Sequence, residues 1–281
     1  MSQLINGKTI ADRILEQTKT KVEELKKQGA IPSLAVLLVG DDKPSKTYVS
    51  KKGEAARNVG INFKLHQLPP DAGKNLIISK VEEIQSQENP NGLIVQLPLP
   101  YPEFTAEVLN AINPLADVDC LTNINLGKLV MNTQSLLPPT PAAVLEILKE
   151  LKIELPGKNV TIIGMGALVG KPLAIMMMNA RASLSTCNSI TRDTREKCLR
   201  ADIIITGVGK FGILSGDMVS DGAVIIDTGV DFVNKKMTGD VDVQSFADKN
   251  VWITPTPGGV GPITVAKLLS NTVLAASLKA K

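Results

Sequence analysis

Residues 160–172 read Val-Thr-Ile-Ile-Gly-Met-Gly-Ala-Leu-Val-Gly-Lys-Pro, a run that few folds accommodate. The four apolar or β-branched residues Val160, Thr161, Ile162 and Ile163 predict a buried strand. Gly164, Gly166 and Gly170 predict a tight turn, and the apolar stretch 173–178 predicts a helix behind it. Glycine removes the side chains that would keep a pyrophosphate off the backbone, and a helix N-terminus offers free N–H groups at the positive end of its dipole. The unit therefore suggests a dinucleotide site. Its spacing is G-x-G-x-x-x-G rather than G-x-G-x-x-G, so on these residues alone a turn built only for packing stays open. Three glycines, Lys171 and Pro172 inside the run argue against a membrane span.

At 281 residues the chain is longer than one core ordinarily serves, which predicts two domains. A net charge of +3 gives no reason to expect a polyanionic partner, and five Phe, two Tyr and one Trp leave little for a base-stacking platform. No nucleic-acid partner is expected. Cys120, Cys187 and Cys198 are odd in number and lack C-x-x-C spacing, which indicates neither a disulfide framework nor a zinc site. The N-terminal residues lack the basic-then-apolar layout of a secretion signal, so a reducing, cytoplasmic setting with no membrane and no metal is expected.

Apolar periodicity predicts helices at 9–28, 45–59, 76–87, 104–112, 142–151, 193–199 and 263–278. Buried strands are predicted at 34–39, 61–65, from 92 onward, 183–187, 202–206, 223–227 and 251–254. This alternation is the signature of doubly wound parallel sheets, and two such runs flank a proline-stiffened join at 136–141. Strand ends carry glycine loops, Gly207-Val208-Gly209-Lys210 and Asp227-Thr228-Gly229, as a ligand crevice at one sheet edge requires.

Three places carry chemistry on either of two readings. Tyr48 and Lys52, four apart, share one face of a helix; the amine is a proton-transfer group or ordinary surface charge. Gln96 closes a buried strand and must find a partner, either a ligand-side group or loop backbone. Asp117 and Asp119 fall on one side of an extended segment, as a ligand-binding pair or as turn caps. His66, the single histidine, reads as a satisfied strand-end residue.

These stretches fit one family together. Tyr48-Val49-Ser50-Lys51-Lys52, residues 92–100 with Val-Gln-Leu-Pro-Leu-Pro, Asp117-Val118-Asp119, Ala223-Val224-Ile225-Ile226-Asp227, Gly239-Asp240-Val241 and Pro257-Gly258-Gly259-Val260-Gly261-Pro262 occur in order. The chain resembles the bifunctional methylenetetrahydrofolate dehydrogenase/cyclohydrolase family over its whole length. The resemblance implies a two-domain α/β enzyme with a cleft between the domains. Residues 1–140 would form the catalytic folate-binding domain, completed by a C-terminal helix at 263–281, and 141–262 a Rossmann-like NAD(P)-binding domain. It implies hydride transfer from 5,10-methylenetetrahydrofolate to NADP, then hydrolysis of the methenyl product to 10-formyltetrahydrofolate.

In the terms of that resemblance Lys52 is the central catalytic group, supported by Gln96. Tyr48 stacks on or orients the folate, and Asp119 holds the pterin's amino edge. Leu97, Pro98, Pro257, Gly258, Gly259 and Val260 complete the substrate contacts. Gly164, Met165, Gly166, Gly170, Ser189, Gly207, Val208, Gly209 and Val230 would meet the cofactor. A homodimer built on the second domain is implied as well.

The chain also departs from the family pattern. Gly-Arg-Ser becomes Gly164-Met165-Gly166, and methionine cannot pair a phosphate; His-Ser-x-Thr becomes Asn188-Ser189-Ile190-Thr191. Arg192 or Arg195 are the available replacements, so NADP is the expectation and NAD the alternative. Pro139 replaces a cysteine and Cys120 a glycine. A monofunctional NAD-dependent dehydrogenase and an inert folate- or nucleotide-binding protein are the competing functional readings.

Overall fold

The computed structural model describes residues 2–234 and 236–280; Lys281, the last residue of the expected closing segment, lies outside the described residues. In chain order the elements are β1 (Gln3–Leu4), α1 (Gly7–Lys27), β2 (Ser33–Val39), α2 (Lys43–Asn58), β3 (Asn62–Leu68), α3 (Lys74–Glu88) and β4 (Gly92–Val95). Then come α4 (Thr105–Asn110), α5 (Asn123–Val130), α6 (Pro139–Glu150), β5 (Asn159–Ile163), α7 (Gly170–Asn179), β6 (Ser183–Cys187) and α8 (Thr194–Leu199). The chain closes with β7 (Ile203–Thr206), β8 (Val224–Asp227), β9 (Asp231–Val233), β10 (Lys236–Thr238), β11 (Trp252–Ile253) and α9 (Val260–Lys279). No helix among the described residues is long and apolar enough to cross a membrane.

The chain forms two compact units. One comprises Asp12–Pro139 and Val265–Lys281, the other Met1–Ala11 and Thr140–Thr264.

The first of these is built on a parallel sheet in the order β3-β2-β4. Ser33-Leu-Ala-Val-Leu-Leu-Val39 is apolar without alternation because this central strand is covered on both faces. Its side chains still sort by strand period. Leu34 and Val36 pack with Val49 and Ala56 of α2, Val22 and Leu25 of α1, and Leu268, Leu269 and Val273 of α9. Ala35, Leu37 and Val39 face Ile77, Val81 and Ile84 of α3 and Val108 and Leu109 of α4. The edge strand β3 runs to Leu68, three residues beyond expectation, and holds His66 at 3.2 Å from a Glu88 carboxylate oxygen. α2 starts earlier than the expected Ser45 cap: Asp42 is the N-cap, its Oδ2 accepting from the Ser45 N–H at 3.0 Å, with Pro44 in the first turn.

The other unit carries six parallel strands in the order β1-β11-β8-β7-β5-β6. Ile204, Ile225 and Ile253 are register partners across β7, β8 and β11, and they pack in one core with Phe246 and Leu214. Gln3–Leu4 pairs with Trp252–Ile253, which groups the first eleven residues with this sheet. Sequence periodicity gives no sign of a two-residue strand or of the antiparallel pair β9–β10, because neither is long enough to show a period, and α5 is not among the expected helices.

In both sheets the strand order reverses once. The chain steps from β2 to β3 on one side and returns to β4 on the other; likewise from β5 to β6 and back to β7. Such a reversal leaves the two connecting loops diverging at the C-terminal strand ends, and that is where open α/β sheets hold ligands.

Candidate active site

At the reversal in the smaller sheet stand the loops that follow β2 and β4. Tyr48 and Lys52 project from α2 one turn apart, both half-buried, while Val49, Gly53 and Ala56 form the helix's inward face. Gly53 sets the approach of that helix. A β-carbon there would lie 2.7 Å from the Phe63 ring on β3, so any larger residue has to displace either that ring or the helix that carries Lys52.

Gln96 follows β4 directly, and its backbone N–H still pairs with the Leu37 carbonyl at 2.9 Å. Its side chain does both things the sequence left open. Oε1 accepts from Lys52 Nζ at 3.1 Å, and Nε2 donates to the Leu97 carbonyl at 2.7 Å. The loop bond fixes the amide's orientation, so the oxygen is the atom turned to the amine. Leu97 is half-buried and Pro98 exposed beside it. Burial pushes the Tyr48 phenol above its ordinary value, so it remains a protonated donor at neutral pH.

The expectation of an extended segment is corrected in its backbone, while the Asp117 and Asp119 carboxylates stay near enough for the charge of one to act on the other. Residues 117–120 form a turn, closed by the Cys120 N–H donating to the Asp117 carbonyl at 3.2 Å, and the two aspartates are used differently. Asp117 is 1% exposed; its oxygens accept from the backbone N–H groups of Leu121 and Thr122 and from Asn125 Nδ2, so it caps the approach to α5. Asp119 remains for ligand chemistry. Burial pushes its carboxyl above the usual range; the Lys52 ammonium pulls it down and Asp117 pushes it further up. Val118 between them is fully buried, and its carbonyl accepts from Asn271 Nδ2 of α9 at 2.9 Å. The closing helix thus pins the turn, a role for Asn271 that no sequence pattern marked. Cys120, where the family pattern has glycine, sits in the left-handed region at φ +58°.

The second set of residues belongs to the six-stranded sheet. Gly164 has φ +100°, and a β-carbon on it would lie 2.5 Å from the Gly207 carbonyl oxygen. One on Gly170, the first residue of α7, would lie 1.9 Å from the Gly164 carbonyl oxygen. These two glycines are required by packing of the turn against itself and against the loop after β7. Gly166 is different: nothing lies within 4 Å of a β-carbon there, and the residue is exposed. Bare, accessible backbone held by a rigid turn at a reversal of strand order fits a dinucleotide pyrophosphate. Met165 beside it is half-buried.

After β6 the chain enters the exposed segment Asn188-Ser189-Ile190 and continues to Arg192, shaped by Asn188 Oδ1 accepting from the Ile190 N–H at 3.0 Å. Arg195 is engaged elsewhere, its guanidinium donating to the Asp217 carbonyl at 3.0 Å. Both arginines proposed as replacements for the missing family arginine are exposed, and Arg192 is the one in the loop that also carries Ser189.

The loop after β7 is organised by residues that sequence reasoning did not assign. Asp240, wholly buried, accepts from the backbone N–H groups of Val208, Gly209 and Lys210 at 2.6, 2.8 and 2.8 Å. Asp227 accepts from Thr206 Oγ1 and from the Gly229 and Val241 N–H groups. Burial pushes the Asp227 carboxyl up, against these donors. A Gly-Asp-Val triplet following a strand that ends in aspartate was the only signal available.

Residues 257–260 lie in the same unit as that sheet. Pro257 is exposed and Gly258 half-buried with φ +102°, whereas Gly259 and Val260 are buried. A β-carbon on Gly7 would strike the Gly259 carbonyl oxygen, and the Gly7 N–H donates to the Gly258 carbonyl at 3.0 Å. The Val260 side chain is core, which leaves Pro257 and Gly258 as the surface this loop presents.

Comparison with known proteins agrees over the full length. Residues 5–119 match the tetrahydrofolate dehydrogenase/cyclohydrolase catalytic domain, and residues 138–280 match the NAD(P)-binding domain of the same family. The bifunctional protein FolD of Campylobacter concisus is 42% identical over 278 residues, covering 99% of this chain and 98% of that protein. The crystal structure of the bifunctional methylenetetrahydrofolate dehydrogenase/cyclohydrolase of Campylobacter jejuni superposes with a TM-score of 0.95 at 37% identity, covering 99% of this chain and 100% of that one. The Trypanosoma brucei enzyme, solved with NADP and an inhibitor, gives a TM-score of 0.94 at 31% identity, covering 100% and 99%.

Proposed function

This chain belongs to the tetrahydrofolate dehydrogenase/cyclohydrolase family, and from that premise we propose that Lys52, oriented by Gln96, moves the protons of its hydrolytic step. The enzyme is bifunctional. It oxidises 5,10-methylenetetrahydrofolate to the 5,10-methenyl form with a nicotinamide dinucleotide, and it hydrolyses that product to 10-formyltetrahydrofolate. The monofunctional and inert readings are set aside.

In the hydrolysis, water adds to the methenyl carbon, one carbon–nitrogen bond breaks, and the departing ring nitrogen keeps a proton while another is released. A single amine serves both needs: in its neutral form it accepts a proton from the water, and as the ammonium so formed it returns one to the nitrogen. The observation that carries this role is the 3.1 Å bond from Lys52 Nζ to Gln96 Oε1, with Gln96 locked through its own Nε2. Tyr48, one turn before Lys52, orients the substrate ring, and the Asp119 carboxyl meets the pterin's amino edge. When bound, the nicotinamide supplies the two-electron acceptor for the hydride leaving the methylene carbon. The chain's own part there is alignment and exclusion of water. Replacement of Lys52 by Met should reduce methenyl decay to the uncatalysed rate in a protein with unchanged circular dichroism. Full cyclohydrolase turnover by that variant would overturn the role.

For the cofactor, NADP is the reading we favour over NAD. NAD-using folds place an acid near the end of the second strand for the ribose 2′-hydroxyl; residues 188–192 here contain none, and Arg192 is exposed among them. The acid that directly follows this loop, Asp193, stands before α8 and is paired with Lys197. Arg192 and Ser189 would then hold the 2′-phosphate. Replacing Arg192 by Ala should raise the dissociation constant for NADP about tenfold or more and that for NAD hardly at all. Equal effects on both would exclude this assignment. A homodimer built on the unit carrying the six-stranded sheet is supported by Phe232 and Val233, exposed on β9. Three free, buried thiols support a cytoplasmic setting.

A further inference from the structure

Asp240 is a wholly buried carboxylate that gathers three backbone N–H groups, and hydrolysis or hydride transfer assigns it no step. Three successive N–H groups, those of Val208, Gly209 and Lys210, converge on its two oxygens. Its own backbone carbonyl accepts from the Ile213 N–H at 2.9 Å, so one residue holds both ends of the loop after β7. Asp231 takes the N–H in between, that of Phe211, at 2.9 Å.

Successive N–H groups turned to one point form an anion-binding concavity. Here the anion is internal and covalently attached. Two glycines make room for it: a β-carbon on Gly229 would lie 2.2 Å from the Asp240 carboxyl, and one on Gly239 would strike Asp227. Asp227 in turn joins Thr206, Gly229 and Val241. The two carboxylates therefore tie the loop after β7, the loop after β8 and residues 239–241 into one body.

That body carries two exposed apolar side chains at neighbouring strand ends, Val208 at 46% and Val230 at 38% exposure. Exposed valines at the C-terminal ends of β7 and β8, beside the Gly164 turn, suit the flat face of a cofactor ring. We propose that Asp240 is a positioning residue for the nicotinamide dinucleotide: by gathering the N–H groups of residues 208–210 it sets where Val208 stands, and by packing against Gly229 it sets where the adjoining Val230 stands. Asp240 acts through the loop and does not itself touch the cofactor. The inference rests on the reading of this unit as the cofactor-binding one.

The test is Asp240→Asn in the full-length enzyme, with Gly229→Ala as a second variant that displaces the carboxylate without removing it. An amide offers one acceptor oxygen and turns an NH2 toward N–H donors, so the three bonds cannot all survive. Cofactor dissociation constants are read by nicotinamide fluorescence, and cyclohydrolase kcat/KM is measured on the same preparations. We expect a rise of at least tenfold in the cofactor Kd and KM, with kcat/KM for methenyl hydrolysis within twofold of wild type. A folded Asp240→Asn protein with wild-type cofactor affinity would overturn the proposal. So would parallel loss of both activities in both variants, which is what a purely structural role gives. Failure of the wild type to bind either dinucleotide would instead sink the cofactor reading itself.

Discussion

Lys52 and Gln96 meet side chain to side chain at 3.1 Å although 44 residues separate them in the chain. The amide oxygen is turned to the amine because the amide nitrogen is taken by the Leu97 carbonyl at 2.7 Å. Replacing Gln96 by Ala deletes the acceptor and leaves the amine free to choose other rotamers. A hydrogen bond to a charged group contributes about 1.5–3 kcal/mol, so cyclohydrolase kcat should fall roughly 10- to 100-fold. Cofactor Kd should stay unchanged, and a kcat within twofold of wild type would refute the positioning role.

Asp119 is expected to lower stability in exchange for function. Its folded-state pKa is raised, with burial as the main cause, so the folded protein binds a proton more readily than the unfolded chain. Stability from this group is present below the ordinary carboxylate pKa and is lost as pH rises through the raised one. Asp119→Asn should therefore melt at a higher temperature than wild type at neutral pH, the gap closing as the pH falls to about 4. Folate KM should rise roughly tenfold or more, because the charge-assisted contact is gone. Identical melting curves across pH 4 to 8 would show that the carboxyl is not penalised.

The glycines of the 164–170 turn should separate into two kinds. Gly170→Ala places a methyl 1.9 Å from the Gly164 carbonyl oxygen, and the backbone has to move. Overpacking of this kind costs about 1–3 kcal/mol, and cofactor binding should be lost with it. Gly166→Ala meets open space and should change stability by no more than about 0.5 kcal/mol. Urea melts of the two variants decide the matter; equal losses would mean that the turn is not packed as described.

The thiols should be inert in the folded protein. Cys120, Cys187 and Cys198 are at most 2% exposed, and burial pushes every one of their pKa values up, that of Cys198 to about 12. Since the thiolate is the reactive species, a chromogenic disulfide reagent at pH 8 should titrate none of them until denaturant is added, and then all three. Prompt reaction of one equivalent in buffer would contradict this burial.

Local patterns foretold most of the architecture. The alternation of helices and buried strands was legible because each element is long enough to show its period, and the residues that became β2, β5 and β7 are mostly apolar or β-branched. Elements of two or three residues, β1, β9 and β10, showed nothing, since pairing rather than composition makes them strands. The extended backbone expected at Asp117 and Asp119 failed for a related reason. Alternation over three residues predicts an extended segment, whereas Asp117 gathers the N–H groups of Leu121 and Thr122 and the chain turns there instead. Asp240 and Asn271 went unassigned because their partners lie about thirty residues away and more.

What the sequence by itself determined was the menu: parallel α/β units, a glycine turn able to admit a phosphate backbone, and amine, amide and carboxyl groups placed at element ends. Those follow from steric limits and periodicities that act within a few residues. Only the tertiary structure decided which of these groups act together. The order of strands β3-β2-β4 brings the end of β4 beside α2, and the order β6-β5-β7 sets the Gly164 turn against Gly207. Strand order is chosen by burial summed over the whole sheet, and no stretch of sequence carries that sum.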